Sequence, residues 1–403
     1  MNVGITERPL KIGIACYPTH GGSGVLATEL GIALAERGHE VHFLAYAKPP
    51  RLSRYHPRIF CHLVEVSEYP LFKYPPYDLA LASKMIEVIN ERQLDVLHVH
   101  YAIPHSISAY LARQLMPGKR FGIVTTLHGT DITLVGSGNA YRDVTRFGIE
   151  QSDEVIAVSS WLKKETQRIF GATKEIHVVP NFVDTARFRP REGRTSPLLC
   201  LCDDAPIVMH VSNFRPVKRV ADSVRAFADA TAGTQAQLVL AGDGPDRAEA
   251  ERLVAELGLG GRVQFLGLVD DVSDLLPFAA ALLVTTEQES FGLAALEALS
   301  CGVPVAGYDS GGMKEVVEDG RSGFLVRFGD VPALAARLKT LLADDKLRRD
   351  FGARGRARAV EEFELHQLLG VHERLYHAAI ASRSTVPGDN SSGGTSEVAG
   401  AGA

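Results

Sequence analysis

The stretch ALLVTTEQESFGLAALEALSCGVPVAG, residues 281–307, reads as a strand, a helix and a second strand in succession. Residues 281–285 are a short buried-type apolar run, 291–300 an apolar helix, and 303–307 a second apolar run beyond the Cys301-Gly302 turn. Within it, residues 289–297 begin and end on a carboxylate, Glu289 on the loop and Glu297 on the helix. If the helix opens near Gly292, its first free amides and its dipole favour an anion in front of it. Glu297 then lies about 7 Å further along the axis, at a rise of roughly 1.5 Å per residue, in reach of ribose hydroxyls beside a bound phosphate. Glu289 faces the far side of that phosphate. Such geometry suits a sugar nucleotide.

The same alternation extends in both directions. Towards the N-terminus, residues 10–16, 41–46, 95–99, 122–127, 155–158 and 176–179 read as buried parallel strands. Residues 25–37, ended by Gly38, and 78–92 read as helices between them. In the second half the strands are 207–211, 237–241, 263–266, 281–285 and 303–307, with helices over 217–231, 247–257, 291–300 and 331–343. Each half is its own βαβ series, which predicts an α/β protein of two doubly wound domains. The boundary falls at Pro180-Asn181-Phe182-Val183-Asp184, where a strand meets proline and the chain turns polar. Domains are therefore expected over 1–182 and 183–363. A long helical stretch, 345–380, breaks near 364–366, and its last part, 364–381, is expected to cross back onto the first domain. Residues 382–403 are small, polar and aperiodic, and read as a disordered tail.

A chain of 403 residues exceeds what one core serves. Its 45% hydrophobic and 23% charged residues are those of a soluble protein, and a net charge of −5 gives no reason to expect nucleic acid as a partner. With no apolar run near the roughly 20 residues that span a bilayer, and no signal-peptide core at the start, no membrane span and a cytoplasmic location are expected. Cys16, Cys61, Cys200, Cys202 and Cys301 are odd in number and scattered, as reduced thiols are. Cys200-Leu201-Cys202 lacks a second pair at metal-site spacing. His98 and His100 share a strand face but have no acidic third ligand in register, so no metal site is expected.

Ligands of open α/β sheets sit at the carboxyl ends of the strands. After the first strand comes Tyr17-Pro18-Thr19-His20-Gly21-Gly22-Ser23-Gly24, whose glycines let backbone amides approach a phosphate. After the fourth comes Thr125-Thr126-Leu127-His128-Gly129-Thr130-Asp131, where His128 can reach a substrate hydroxyl. The second half opens on Ser212-Asn213-Phe214-Arg215-Pro216-Val217-Lys218-Arg219, three cations within five residues, suited to a pyrophosphate. Gly242-Asp243-Gly244-Pro245 is a turn that could line the same pocket, and Asp309-Ser310-Gly311-Gly312 with Glu315 shape its wall.

Together these motifs resemble the retaining GT-B glycosyltransferases of glycosyltransferase family 4, over roughly residues 10–380. The most specific element is Glu289 to Glu297, followed by Cys301-Gly302-Val303-Pro304-Val305 and Gly311-Gly312. The first-domain stretches CYPTHGGSGVLATELG, HVHYAIPHS and GIVTTLHGTDITLVG carry the resemblance into the half where acceptor specificity resides. The resemblance implies a GT-B fold, two Rossmann-like domains facing a central cleft, the first binding acceptor and the second a UDP-sugar. It implies UDP-GlcNAc as donor and L-malate as acceptor, in bacillithiol biosynthesis. His128, Glu289, Lys218 and Arg215 would be catalytic. Donor contacts would come from Gly21, Gly22, Asn213, Arg215, Lys218, Gly242, Phe291, Gly292, Leu293 and Glu297. Acceptor contacts would come from Ser23, Tyr101, Thr125, Thr126, Arg146 and Asn181. The family pattern often has arginine where Asn213 stands, five residues before the lysine, and Arg215 is a shifted counterpart. No D-x-D triplet occurs, so neither a divalent metal nor any other cofactor is expected.

Three other readings stay open on the residues alone. The acceptor could be another sugar, inositol or a lipid. Two carboxylates could mark a glycoside hydrolase, although a neutral glycan needs neither the basic loop nor the glycine turns. The chain could also be a nucleotide-responsive binding module. The sequence is compatible with a homo-oligomer and does not decide it.

Overall fold

A computed structural model of the chain describes residues 8–19, 21–52, 55–66, 73–191 and 205–384. His20, Cys200, Cys202, the polar stretch 194–197 and the tail from 385 onward lie outside them. The first sheet contains β1 (Lys11–Ala15), β2 (Glu40–Ala45), β3 (Ile59–Leu63), β4 (Val96–His100), β5 (Gly122–Leu127), β6 (Glu154–Ala157) and β7 (Ile176–Val178). Its helices are α1 (Gly22–Glu36), α2 (Tyr77–Arg92), α3 (Ile107–Gln114), α4 (Arg142–Gln151) and α5 (Ser160–Phe170). The second sheet contains β8 (Ile207–Val211), β9 (Gln237–Ala241), β10 (Val263–Gly267), β11 (Ala281–Val284), β12 (Val305–Tyr308) and β13 (Gly323–Val326). With it run α6 (Val220–Ala230), α7 (Arg247–Glu256), α8 (Leu293–Ser300), α9 (Met313–Val316), α10 (Val331–Ala343) and α11 (Asp345–Glu362), and α12 (Leu365–Ser384) follows.

Strand order is β3-β2-β1-β4-β5-β6-β7 in one sheet and β10-β9-β8-β11-β12-β13 in the other, with every pairing parallel. The order reverses between β1 and β4, and again between β8 and β11. At such a switch point the connections leave the sheet in opposite directions and open a crevice beyond the strand ends. Four loops therefore converge by topology: 16–21 and 101–106 from the first sheet, 212–219 and 285–292 from the second. Both sheets thus have the doubly wound architecture expected from the sequence.

Two strands escaped the sequence reading. β3, IFCHL, is an edge strand with no fully buried residue, and β13, GFLV, is a four-residue edge strand opened by glycine. Two helices start later than expected. α6 begins at Val220 because 216–218 form a tighter turn and Arg219 has φ 49°. α8 begins at Leu293 because Gly292 has φ 104°, a left-handed conformation outside any helix.

α1 and α8 are buried on nearly all sides, which accounts for their almost uniformly small and apolar sequences. Glu297 is the single charged residue of α8. α11 and α12 are separated at Phe363–Glu364, where the chain passes close to the linker. The Val183 N–H donates to Phe363 O (2.9 Å) and the Leu365 N–H to Val183 O (3.1 Å), pinning the two crossings together. Beyond that point Leu365, Leu369, Leu375, Tyr376 and Ala379 of α12 join the core of the first sheet, against Ile12, Ile14, Leu30 and Val124. Another core is continuous between the two sheets, from Leu162, Phe170 and Val183 to Met209, Leu282, Leu296 and Phe363.

Candidate active site

The four convergent loops enclose a cleft of about 700 Å³ lined from both domains. Direct bonds tie its walls together. The Ser159 hydroxyl donates to Ser290 O (2.6 Å). Glu315 accepts the Ser160 and Trp161 amides at the start of α5 (both 2.8 Å), so a carboxylate of the second domain satisfies the N-terminus of a first-domain helix.

In the second domain the loop 285–292 is shaped by backbone approach. Gly311 has φ 57°, and a Cβ there would lie 2.1 Å from Glu289 O. The Gly312 N–H donates to the same carbonyl at 2.8 Å. This packing holds Glu289 beside the start of α8, whose N-cap Gly292 brings no side chain to the first amides. Lys218 Nζ reaches Glu289 Oε2 at 2.8 Å. Burial would push the Glu289 carboxyl up, but the Lys218 ammonium, a Thr286 hydrogen bond and the Phe291 amide together hold it below the usual glutamate range. The pair is an ionised carboxylate and cation, both in the cleft lining. Asn213 lines the same wall, and its Oδ1 is buried with no hydrogen-bond partner among the described residues. Arg215 is exposed on the rim of this loop.

Glu297 lies deeper, only 6% exposed. Burial pushes its carboxyl up to about 7; Arg51 and Arg187 oppose the rise while Glu29 and Asp271 add to it. Arg51, on the loop after β2, stands 3.6 Å from Glu297 Oε1, bonds Glu29 through Nη1, and donates from Nε to Asp270 O (3.1 Å). Arg187 joins Glu29 (2.9 Å) to Asp271 (2.7 Å). Two guanidiniums and three carboxylates from both domains thus form one network under the cleft floor. Arg51 has φ 61°, a left-handed conformation costly for a side-chain-bearing residue and held here by the ion network.

On the first-domain side α1 begins at Gly22 after the extended N-cap Gly21, again with no side-chain cap. A Cβ on Gly22 would lie 3.5 Å from Leu293 Cδ2, so the N-termini of α1 and α8 approach one another across the cleft. Two helix dipoles, Lys218 and Arg215 therefore favour anionic groups in one space. Tyr101 has φ 87° and ψ 133°, and its hydroxyl is 2.6 Å from Ser23 Oγ. Asp131 accepts the amides of Ala102 (2.9 Å), His128 (3.1 Å) and Gly129 (2.9 Å), locking the loops after β4 and β5 together. Burial nevertheless pushes its carboxyl up to about 6. His128 Nε2 lies 2.8 Å from His100 Nδ1, and burial lowers the His128 imidazole to about 3, so the ring is neutral.

The structure brings most of the expected site residues together. Gly21, Gly22, Ser23, Tyr101, His128, Asn181, Asn213, Arg215, Lys218, Gly242, Glu289, Phe291, Gly292, Leu293 and Glu297 all line the cleft. Thr125, Thr126 and Arg146 do not. Thr125 is spent on Ser152 (2.7 Å) and Thr126 on His98 (2.7 Å), both inside the first domain. Arg146 is exposed on α4. His98, weighed with His100 as a metal-type pair, has both ring nitrogens occupied, by Tyr376 and Thr126. Sequence reasoning missed Arg51, Asp131 as a loop lock, Trp161 and Thr286. Arg51 follows the second strand at Lys48-Pro49-Pro50, a carboxyl-end loop, and the same search rule would have found it.

Residues 20–187 match the family described as Glycosyltransferase Family 4, and residues 201–358 match Glycosyl transferases group 1. The N-acetyl-alpha-D-glucosaminyl L-malate synthase of Bacillus anthracis is 47% identical over 369 residues, 91% of this chain and 97% of that protein. The D-inositol 3-phosphate glycosyltransferase of Nocardia farcinica is 30% identical over 93% of this chain and 91% of its own length. Among solved structures, a sucrose-phosphate synthase from Thermosynechococcus elongatus superposes with a TM-score of 0.76 at 25% identity, over 92% of this chain and all of that one. Within the doubly wound pair of domains and the cleft between them, these matches run nearly end to end, and the chain belongs to glycosyltransferase family 4, with the GT-B fold.

Proposed function

We propose that the chain transfers N-acetylglucosamine from UDP-GlcNAc to the hydroxyl of L-malate with retention of the α configuration, giving α-GlcNAc-malate and UDP, the first step of bacillithiol biosynthesis. The observation that carries this reading is the 47% identity to an N-acetyl-alpha-D-glucosaminyl L-malate synthase over almost the full length of both chains. The chemistry of the cleft supports it. Glu297 lines the cleft, and its carboxylate could accept hydrogen bonds from two ribose hydroxyls. Lys218, Arg215 and the start of α8 line the same cleft and suit a diphosphate, and Asn213 Oδ1 has no partner among the described residues.

The malate hydroxyl oxygen bonds to C1 of the sugar on the face from which the diphosphate leaves. The C1–O bond breaks, its electron pair stays with UDP, and the hydroxyl proton passes to a phosphate oxygen. The protein's part is electrostatic. Negative charge growing on the leaving oxygen meets Lys218, Arg215 and fixed amide dipoles in a site partly shielded from water. Lys218 bonds Glu289, which orients it, and Glu289 is kept ionised to accept sugar hydroxyls. Ser23, Tyr101, Asn181 and the α1 amides would be the acceptor-side contacts, and the family resemblance assigns Arg146 of α4 to a malate carboxylate. No step requires a divalent metal.

The test is turnover of UDP-GlcNAc and L-malate in EDTA, with UDP and glycosylated malate both quantified. Activity that vanishes on chelation and returns with Mn²⁺ would overturn the metal-free mechanism. Transfer to inositol in preference to malate would overturn the acceptor.

A further inference from the structure

A column of histidines runs through the first domain into the cleft. His98 bonds Tyr376 of α12 through Nδ1 (2.8 Å) and Thr126 through Nε2 (2.7 Å). His100, two residues along β4, stacks on it with ring centroids 4.5 Å apart. His100 Nδ1 then meets His128 Nε2 at 2.8 Å, and His128 lines the cleft. Burial drives both His100 and His128 far below the ordinary histidine range, so both rings are neutral and the 2.8 Å contact holds a single proton.

Which ring owns that proton follows from the other end of His100. His100 Nε2 is buried and has no hydrogen-bond partner among the described residues. If His100 accepted at Nδ1, its proton would sit on Nε2 as an orphaned buried donor, among the rarest defects in folded proteins. If it donates from Nδ1, Nε2 is left as an unpaired acceptor, a more common and less costly state. The proton therefore belongs to His100 Nδ1. His128 must then accept at Nε2 and carry its own proton on Nδ1. His128 Nδ1 takes no bond among the described residues, and His128 lines the cleft.

We propose that His100 is a positioning residue that fixes His128 as the Nδ1–H tautomer, so that His128 offers the cleft a hydrogen-bond donor and not a base. This rests on the proposed transfer reaction, with His128 in the cleft lining able to reach a hydroxyl of the transferred sugar. A donor there would hold a sugar hydroxyl oxygen and add to the positive field facing the departing diphosphate. His128 as proton acceptor from malate is excluded by the same assignment, which leaves the phosphate oxygen as the proton's destination.

The test has two arms. In ¹⁵N-histidine-labelled protein without substrate, His128, assigned with a His128→Gln variant, should show a protonated-type Nδ1 and an unprotonated-type Nε2. A protonated Nε2 overturns the proposal, whatever the protein's activity. In the second arm, His100→Leu removes the donor, and kcat for transfer from UDP-GlcNAc to malate should fall about tenfold, the scale of one misplaced hydrogen bond. UDP affinity should hold, and the His128 tautomer should become mixed. His100→Asn, whose amide nitrogen can stand near the lost Nδ1, should restore both tautomer and most of kcat. Failure of Asn to restore either, or an unchanged kcat in His100→Leu, overturns the positioning role. A wild-type protein that transfers nothing refutes the reading of function and leaves the spectroscopic arm to decide the tautomer.

Discussion

Glu297→Gln should make the ligand-free protein more stable and worse at binding donor. Glu297 lies beside Arg51, which it shares with Glu29, and the surrounding network holds Glu29, Asp271 and Arg187 as well. Three carboxylates against two guanidiniums leave one negative charge in excess, and Glu297 is the most buried of them. Its carboxyl rises from 4.5 to about 7, which at about 1.36 kcal/mol per pH unit corresponds to about 3 kcal/mol. The sign follows from proton uptake. Between pH 4.5 and about 7 the folded state keeps a proton that the unfolded chain has released, so stability falls as pH rises through that window and is lowest above it. Gln lacks the charge and keeps the shape. The variant should therefore melt with wild type near pH 5 and a few degrees above it at pH 8.5, where the full penalty of about 3 kcal/mol applies. Ribose would lose a charged acceptor, and UDP should bind roughly 10- to 100-fold more weakly. Differential scanning fluorimetry across pH and isothermal titration with UDP read the two halves. A variant that is less stable than wild type at every pH and binds UDP normally would refute both the strained carboxylate and its assignment to the donor.

Lys218→Ala should weaken UDP by about 10- to 100-fold in titration calorimetry, the loss of one charge-assisted phosphate contact, and lower stability by about 1–2 kcal/mol by stranding Glu289. Gly311→Ala puts a Cβ 2.1 Å from Glu289 O at a left-handed φ, so it should displace the Glu289 loop and cost about 2 kcal/mol with a parallel loss of UDP affinity. Unaltered UDP binding in that variant would mean the loop does not set the donor site. Arg146→Ala should raise the malate KM roughly tenfold and spare UDP. An unchanged malate KM would confine acceptor recognition to Ser23, Tyr101 and Asn181.

What the sequence revealed and what it hid divide along a physical line. Buried parallel strands announce themselves because both faces demand apolar residues, so β1, β5, β8 and β9 were legible almost to the residue. Edge strands face a weaker demand: β7 and β10 were still legible, but β3, with no fully buried residue, and the four-residue β13 were not seen. Gly292 and Gly311-Gly312 marked the site because backbone close approach needs glycine, and that requirement is local. Glu289 and Glu297 were legible for the same reason, being fixed to one loop and helix. Their partners were not. Lys218 meets Glu289 across 71 positions, and Arg51 meets Glu297 from the other domain. Pairing over such distances is a property of domain packing, and no periodicity reports it. Thr125 and Thr126 show the converse error. Residues one and two places before the end of a strand seem near the site, yet both side chains point into bonds with Ser152 and His98.

The central claim is the reaction itself, and one incubation tests it most directly. Protein, UDP-GlcNAc and L-malate in EDTA, followed by mass spectrometry, should yield α-GlcNAc-malate and UDP in equal amounts. Release of UDP without glycosylated malate, or an intact donor after prolonged incubation, would contradict it.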